Sequence, residues 1–130
     1  MGRIQKTFSE LEKLNRKALI GYIVAGDPDL ASTANAMELM VSEGVDVIEL
    51  GIAFSDPMAE GPSIQRGHER ALLNETSLER VLELVKGFRK KDQKTPIVLM
   101  GYMNPFESMG IKGFTRKASE NGVDGVLIVD

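Results

Sequence analysis

Cysteine is absent from these 130 residues, so neither a disulfide framework nor a thiolate metal site can be built. Histidine occurs once, at His68, which leaves little material for a His-based triad or a multi-histidine metal site; no metal site is expected. A basic surplus is also missing. Sixteen Lys and Arg stand against 19 Asp and Glu, a net charge of -3, whereas a nucleic-acid or anionic-membrane surface would show clustered cations. The one basic run, Arg89-Lys90-Lys91, falls at the end of a predicted helix, where cations offset the exposed carbonyls. No stretch approaches the roughly 18 consecutive apolar residues that a bilayer span needs. The opening MGRIQKTFSELEKLNRK lacks the continuous apolar core of a secretory signal, and Gly2 is followed by Lys6 where a myristoylation signal needs Ser or Thr. The expectation is a cytoplasmic protein with one domain over residues 1–130.

What is present is ordinary for a globular chain: 42% apolar and 27% charged residues. Ile4, Phe8, Leu11 and Leu14 form one apolar stripe on a short helix. Ala18 to Gly26, ALIGYIVAG, reads as a strand stopped by the turn signal Gly26-Asp27-Pro28. Asp29 to Glu43 follows as a helix that ends at Gly44. The alternation then repeats. Gly44 to Leu50 is a second strand, and Pro62 opens a helix carrying Ile64, His68, Ala71 and Leu72 on one face up to Asn74. Thr76 and Glu79 fit a capping box ahead of Leu78, Val81, Leu82, Val85 and Phe88. Ile97 to Met100 is the third strand; a helical region from Pro105 to Asn121 is broken at Gly110 or Gly113, and GVLIVD is the fourth strand.

Strands that are apolar on both faces and alternate with helices are the pattern of a parallel sheet with crossover helices. A doubly wound sheet and part of a (β/α)₈ barrel both satisfy it. The first strand exits through AGDPD rather than a GxGxxG phosphate fingerprint, which favours the barrel.

Within VIELGIAFSDPMAEGPSIQ (Val47 to Gln65) one carboxylate, Glu49, interrupts a strand-like run. Val45, Val47 and Glu49 share one face, and Ile48 and Leu50 the other. If Ile48 and Leu50 meet the helices, Glu49 points into the barrel at its C-terminal rim, where barrel active sites are built. Walled by apolar groups it would lose solvation, hold a proton more readily and exchange it with a substrate. The plainer reading is a solvated strand-end carboxylate or an ion pair. Glu60, eleven residues on in the loop over the rim, could divide acid and base work with Glu49, or be an unrelated surface charge. His68 reads as a packed or half-exposed helix residue. Tyr22 and Tyr102 could line an apolar pocket or simply fill the core.

With GDP at Gly26 to Pro28, GYMNP at Gly101 to Pro105 and GVDGVLIVD at the end, the quoted stretch closely resembles the tryptophan synthase alpha chain family, from the N-terminal helix to Asp130. The resemblance implies a (β/α)₈ TIM-type barrel and a lyase of tryptophan biosynthesis. Such a lyase splits indole-3-glycerol phosphate to indole and glyceraldehyde 3-phosphate in a retro-aldol step. The family's strand-two glutamate, which does the acid/base work, maps onto Glu49. Its loop-two aspartate, near the indole nitrogen, maps onto Glu60, one methylene longer. Tyr22, Met100, Tyr102, Leu127 and Val129 correspond to the indole pocket. Asp56 and Asn104 correspond to the contact with a beta chain, which carries pyridoxal phosphate; the alpha-type chain itself carries no cofactor. Ala53 stands where the family commonly has proline.

A complete barrel takes roughly 250 residues. The resemblance therefore implies about the first four βα units, a half-barrel that forms the N-terminal portion of the fold. The family's phosphate-binding loops lie in the other half, so the isolated chain is expected to show little or no lyase activity. The rival expectation is a non-catalytic interaction module that binds a beta-type partner or itself.

Overall fold

The structure, a computed structural model, describes residues 2–55 and 60–129. Its four strands, β1 (Ile20–Val24), β2 (Val47–Gly51), β3 (Ile97–Gly101) and β4 (Gly125–Ile128), pair in parallel and in chain order. Register aligns Tyr22 with Glu49, Glu49 with Val98, and Met100 with Leu127. Crossovers between parallel strands are right-handed, so an order that never reverses keeps all the helices on one side. A doubly wound sheet needs a reversal. The order decides for the barrel type.

Packing agrees. Ile48, Leu50, Ile97 and Leu99 are buried in one cluster with Met37 of α2 (Leu30–Ser42), Val81, Leu82 and Val85 of α4 (Leu78–Arg89), Phe106 of α5 (Met103–Met109) and Phe114 of α6 (Ile111–Asn121). Each such aliphatic or aromatic side chain contributes on the order of 1.5–3 kcal/mol when removed from water. The alternate positions, Tyr22, Glu49, Val98, Met100 and Leu127, share the opposite face.

Local chemistry sets the helix ends. The Asp29 carboxylate accepts from the Ser32 N–H at 2.7 Å and caps α2. Pro62 opens α3 (Pro62–Leu73), where its missing N–H costs nothing. The break before α6 falls at Gly110, with φ of 91°, and Gly113 lies inside α6. The capping box expected at Thr76 is not formed: Ser77 is the cap, its hydroxyl accepting from the Arg80 N–H at 3.2 Å. Thr76 is instead buried against Gly26, where a Cβ would lie 2.1 Å from its hydroxyl. That contact holds Thr76 away from the cap.

Helix α1 (Arg3–Lys13) buries only Leu11 of its expected stripe; Phe8 and Leu14 are exposed. Arg89 also departs from expectation. It ends α4 as predicted, yet its guanidinium turns inward, donating to the carbonyls of Gly122, Thr95 and Asp92 and to the Asp124 carboxylate. Among the described residues, no helix is long and apolar enough to cross a membrane.

Candidate active site

The C-terminal ends of β1, β2 and β3 frame a cavity of about 300 Å³ lined by Tyr22, Glu49, Glu60, Ile64 and Met100. A hollow of about 370 Å³ lies under α1, lined by Phe8, Leu11, Glu12, Asn15, Arg16, Lys17 and Ala18. It is at the other end of the sheet, and its Arg16 is paired with Asp46 at 2.8 Å. The rim cavity is the one where two carboxylates and a phenol converge.

Glu49 owes its place to strand geometry. Its neighbours Ile48 and Leu50 are fully buried against the helices, so the pleat turns Glu49 to the opposite face, where it is half-buried. Tyr22 reaches the same space across β2 because residue 51 is glycine: a Cβ there would lie 2.1 Å from the Tyr22 hydroxyl. Sequence reasoning passed over Gly51, and its signal is faint, a glycine two residues after the carboxylate. Burial first, then the negative charges of Glu60 and Glu49, push the Tyr22 phenol above its ordinary value. It is a neutral donor, and its oxygen meets no hydrogen-bond partner among the described residues.

Glu60 is held from behind. Its Oε2 lies 2.9 Å from His68 Nε2, with the imidazole 1% and the Glu60 side chain 8% exposed. The other ring nitrogen, Nδ1, accepts from the Phe54 N–H at 3.0 Å. The Nε2–Oε2 contact has the distance of an ion pair but not the alignment of a hydrogen bond. The packed histidine of the sequence reading is thus buried, and it also touches the second carboxylate. Nearby, Arg70 clamps Asp27 at 2.6 Å, tying the turn after β1 to α3.

Four residues singled out in the sequence, Tyr22, Glu49, Glu60 and Met100, meet at the cavity. Tyr102 is buried with its ring 5.3 Å from that of Phe54, and it does not line the cavity. Leu127, 51% exposed, lies one strand beyond Met100 on the same face. Val129 donates its N–H to the Gly101 carbonyl. Asn104 is exposed on the first turn of α5, and Asp56 lies outside the described residues. Among the described residues, no group of three His, Asp or Glu is placed to hold a metal. Chemically, the arrangement offers a carboxylate on a rigid strand, a second on the facing loop, a neutral phenol, and apolar walls at Ile64 and Met100.

Comparison with known proteins is consistent with this geometry. The family model for the tryptophan synthase alpha chain matches residues 8–130. The chain belongs to that family. It is 56% identical to the tryptophan synthase alpha chain of Nitrosomonas europaea and 58% identical to that of Dechloromonas aromatica, with all of this chain covered and 47% and 48% of those relatives. The alpha subunit from Legionella pneumophila superposes with a TM-score of 0.98 at 50% identity, over all of this chain and 50% of that one. A tryptophan synthase complex from Pyrococcus furiosus gives 0.81 at 49% identity, over 87% of this chain and 46% of that one. The chain spans about half the length of the curated relatives it matches, and its sheet is that of the first four strands of a (β/α)₈ barrel.

Proposed function

We propose that this chain, as a single domain over residues 1–130, supplies the acid/base half of a barrel that cleaves indole-3-glycerol phosphate. Its products would be indole and glyceraldehyde 3-phosphate, made in the cytoplasm for tryptophan biosynthesis. The observation that carries the reading is Glu49, half-buried at the C-terminal end of β2 in one cavity with Glu60 and Tyr22. In the proposed step the Glu49 carboxyl gives its proton to the indole C3. The Glu49 carboxylate left by that transfer then takes the proton of the adjacent glyceryl hydroxyl, whose oxygen closes to an aldehyde as the carbon–carbon bond breaks and its electrons restore the ring. Glu60 accepts from the indole N–H as positive charge develops there, a charge-assisted bond that strengthens in the transition state. Met100 and Ile64 form the apolar wall, with Leu127 across the same face; Tyr102 backs the site through its contact with Phe54 without reaching the cavity. The residues that would grip the phosphate belong to the half of the family's barrel that this span does not match, so remote binding energy is small in the chain alone.

The test is indole release from indole-3-glycerol phosphate. We expect little turnover from the 130-residue chain, and turnover when it is joined to the second half of the Dechloromonas aromatica relative. In that joined protein Glu49→Gln lowers kcat by about a hundredfold or more. Full activity with Glu49→Gln would sink the proposal.

The exposure of Asn104 on the first turn of α5 favours a second reading, contact with a beta chain carrying pyridoxal phosphate; Asp56, the other residue that the family resemblance assigns to that contact, lies outside the described residues. This chain would bring no cofactor of its own. Co-elution with a beta chain on size exclusion, weakened by Asn104→Arg, checks it; separate elution argues against it.

A further inference from the structure

The buried imidazole of His68 has no part in the reaction proposed above, yet it sits behind one of its carboxylates. We infer that His68 is a positioning residue for Glu60: its Nε2–H fixes the Glu60 carboxylate over the cavity, so that the loop carboxylate, and with it the recognition of a ring N–H, depends on α3. The inference rests on the reading of Glu60 as the partner of the indole nitrogen.

Three observations carry it. The Nε2–Oε2 separation is 2.9 Å, and both side chains are more than nine-tenths buried, so neither can satisfy itself in bulk water. The Phe54 N–H donates to Nδ1 at 3.0 Å, a shorter contact than the 3.4 Å approach of the Phe54 carbonyl to the same nitrogen, and so favours the tautomer with its proton on Nε2, the nitrogen that faces Glu60. And among the described residues neither Nε2 nor Oε2 has another hydrogen-bond partner of good geometry, although the Tyr22 phenol lies beside the Glu60 carboxylate on the cavity side. Glu60 sits on the loop between β2 and α3, outside any helix or strand. Its own backbone therefore does little to aim it. His68 belongs to α3, where it is locked beside Gly67 and Ala71 in the buried face of the helix. The backbone that fixes its tautomer, at Phe54, directly follows Ile52 and Ala53 at the exit of β2. The loop carboxylate is thereby referred to the same strand that carries Glu49.

Two measurements on the full 130-residue chain test this. By NMR, His68 shows bare Nδ1 and a slowly exchanging Hε2 at low field, which moves upfield in Glu60→Gln as a charged acceptor becomes neutral. An Hε2 signal unchanged by Glu60→Gln overturns the proposal. The second measurement compares indole with indene, a ligand of the same shape with no N–H; the chain has no tryptophan, so indole emission is read without background. His68→Phe lowers the preference for indole over indene about tenfold, and His68→Gln, whose amide N–H can replace Nε2–H, restores it. A merely structural loss weakens both ligands alike and leaves the ratio unmoved, which also overturns the proposal. If the unmutated chain shows no preference for indole, the reading of Glu60 fails instead, and the Hε2 signal alone decides whether His68 holds the carboxylate.

Discussion

The two ends of the sheet both carry buried carboxylates, and they treat them in opposite ways. At the N-terminal end, Asp124 stands just before β4 with both oxygens occupied: Oδ2 accepts from Arg89 at 2.8 Å and from the Ile97 N–H at 2.9 Å, and Oδ1 accepts from Arg3 at 3.0 Å. At the C-terminal end, Glu60 Oε2, His68 Nε2 and the Tyr22 hydroxyl are buried with no hydrogen bond of good geometry among the described residues. A fully satisfied ion cluster holds the fold together, whereas a desolvated group left open costs stability unless something else is to meet it. The contrast separates the half of the sheet that maintains the structure from the half that offers chemistry, and it does so without reference to any relative.

The comparison is most sharply broken or upheld at Arg89. Its guanidinium and the Asp124 side chain are 7% and 9% exposed. Burial most strongly, then the nearby Arg3, lower the Arg89 value, with Asp124 and Asp92 pulling it back up. Arg89→Ala would take one of two guanidinium partners from Asp124, leaving Arg3, and the donor from three carbonyls, and should cost about 3 kcal/mol in urea unfolding. A loss below about 1 kcal/mol would mean that the N-terminal cluster does not hold the fold. Glu49→Gln, the substitution proposed to lower kcat in the joined protein, should by contrast shift the unfolding midpoint of the chain little.

A smaller effect comes from two adjacent hydroxyls. Ser77 caps α4 by accepting from the Arg80 N–H, while the buried Thr76 hydroxyl beside it has no hydrogen-bond partner among the described residues. Ser77→Ala should cost about 1 kcal/mol. Thr76→Val, which replaces an unsatisfied hydroxyl by a methyl of the same shape, should be neutral or slightly stabilising. Equal losses from the two would show that Thr76 is bonded after all. Thr76 lies against Gly26 and not in the cavity, so an open polar atom marks a site only where several converge.

How much of this could be read from the residues alone follows from range. The alternation of strands with helices, the helix limits at Pro62 and Gly44, and the separation of Glu49 from Ile48 and Leu50 onto opposite faces of β2 are set by periodicities of two to four residues and local turn chemistry, and these were legible; the spatial order of the strands was not. Thr76 and Ser77 were not distinguishable, because the choice of cap was decided by Gly26, fifty residues away in sequence. Arg89 carried the pattern of an exposed helix-end cation, and only the fold brings Asp124 to it. The His68–Glu60 contact has the same character: spacing alone could not turn a lone histidine toward a loop carboxylate, nor show that Gly51 clears the path for Tyr22.

Tyr22→Phe carries the smallest expected change in stability and the finest test of the contrast. The phenol lies among Glu49, Glu60 and the apolar wall, with burial and both carboxylates holding it neutral. Because its oxygen meets no hydrogen-bond partner of good geometry among the described residues, removing it loses no well-formed bond and relieves one desolvated group. Unfolding free energy should therefore stay within about 0.5 kcal/mol of the parent, or rise by up to about 1 kcal/mol. A drop of more than about 1 kcal/mol would show the hydroxyl already bonded in the free protein, and would move Tyr22 to the structural side of the comparison. Unchanged stability together with weakened indole binding would place the hydroxyl where its burial suggests, as a donor kept open for a ligand between two carboxylates.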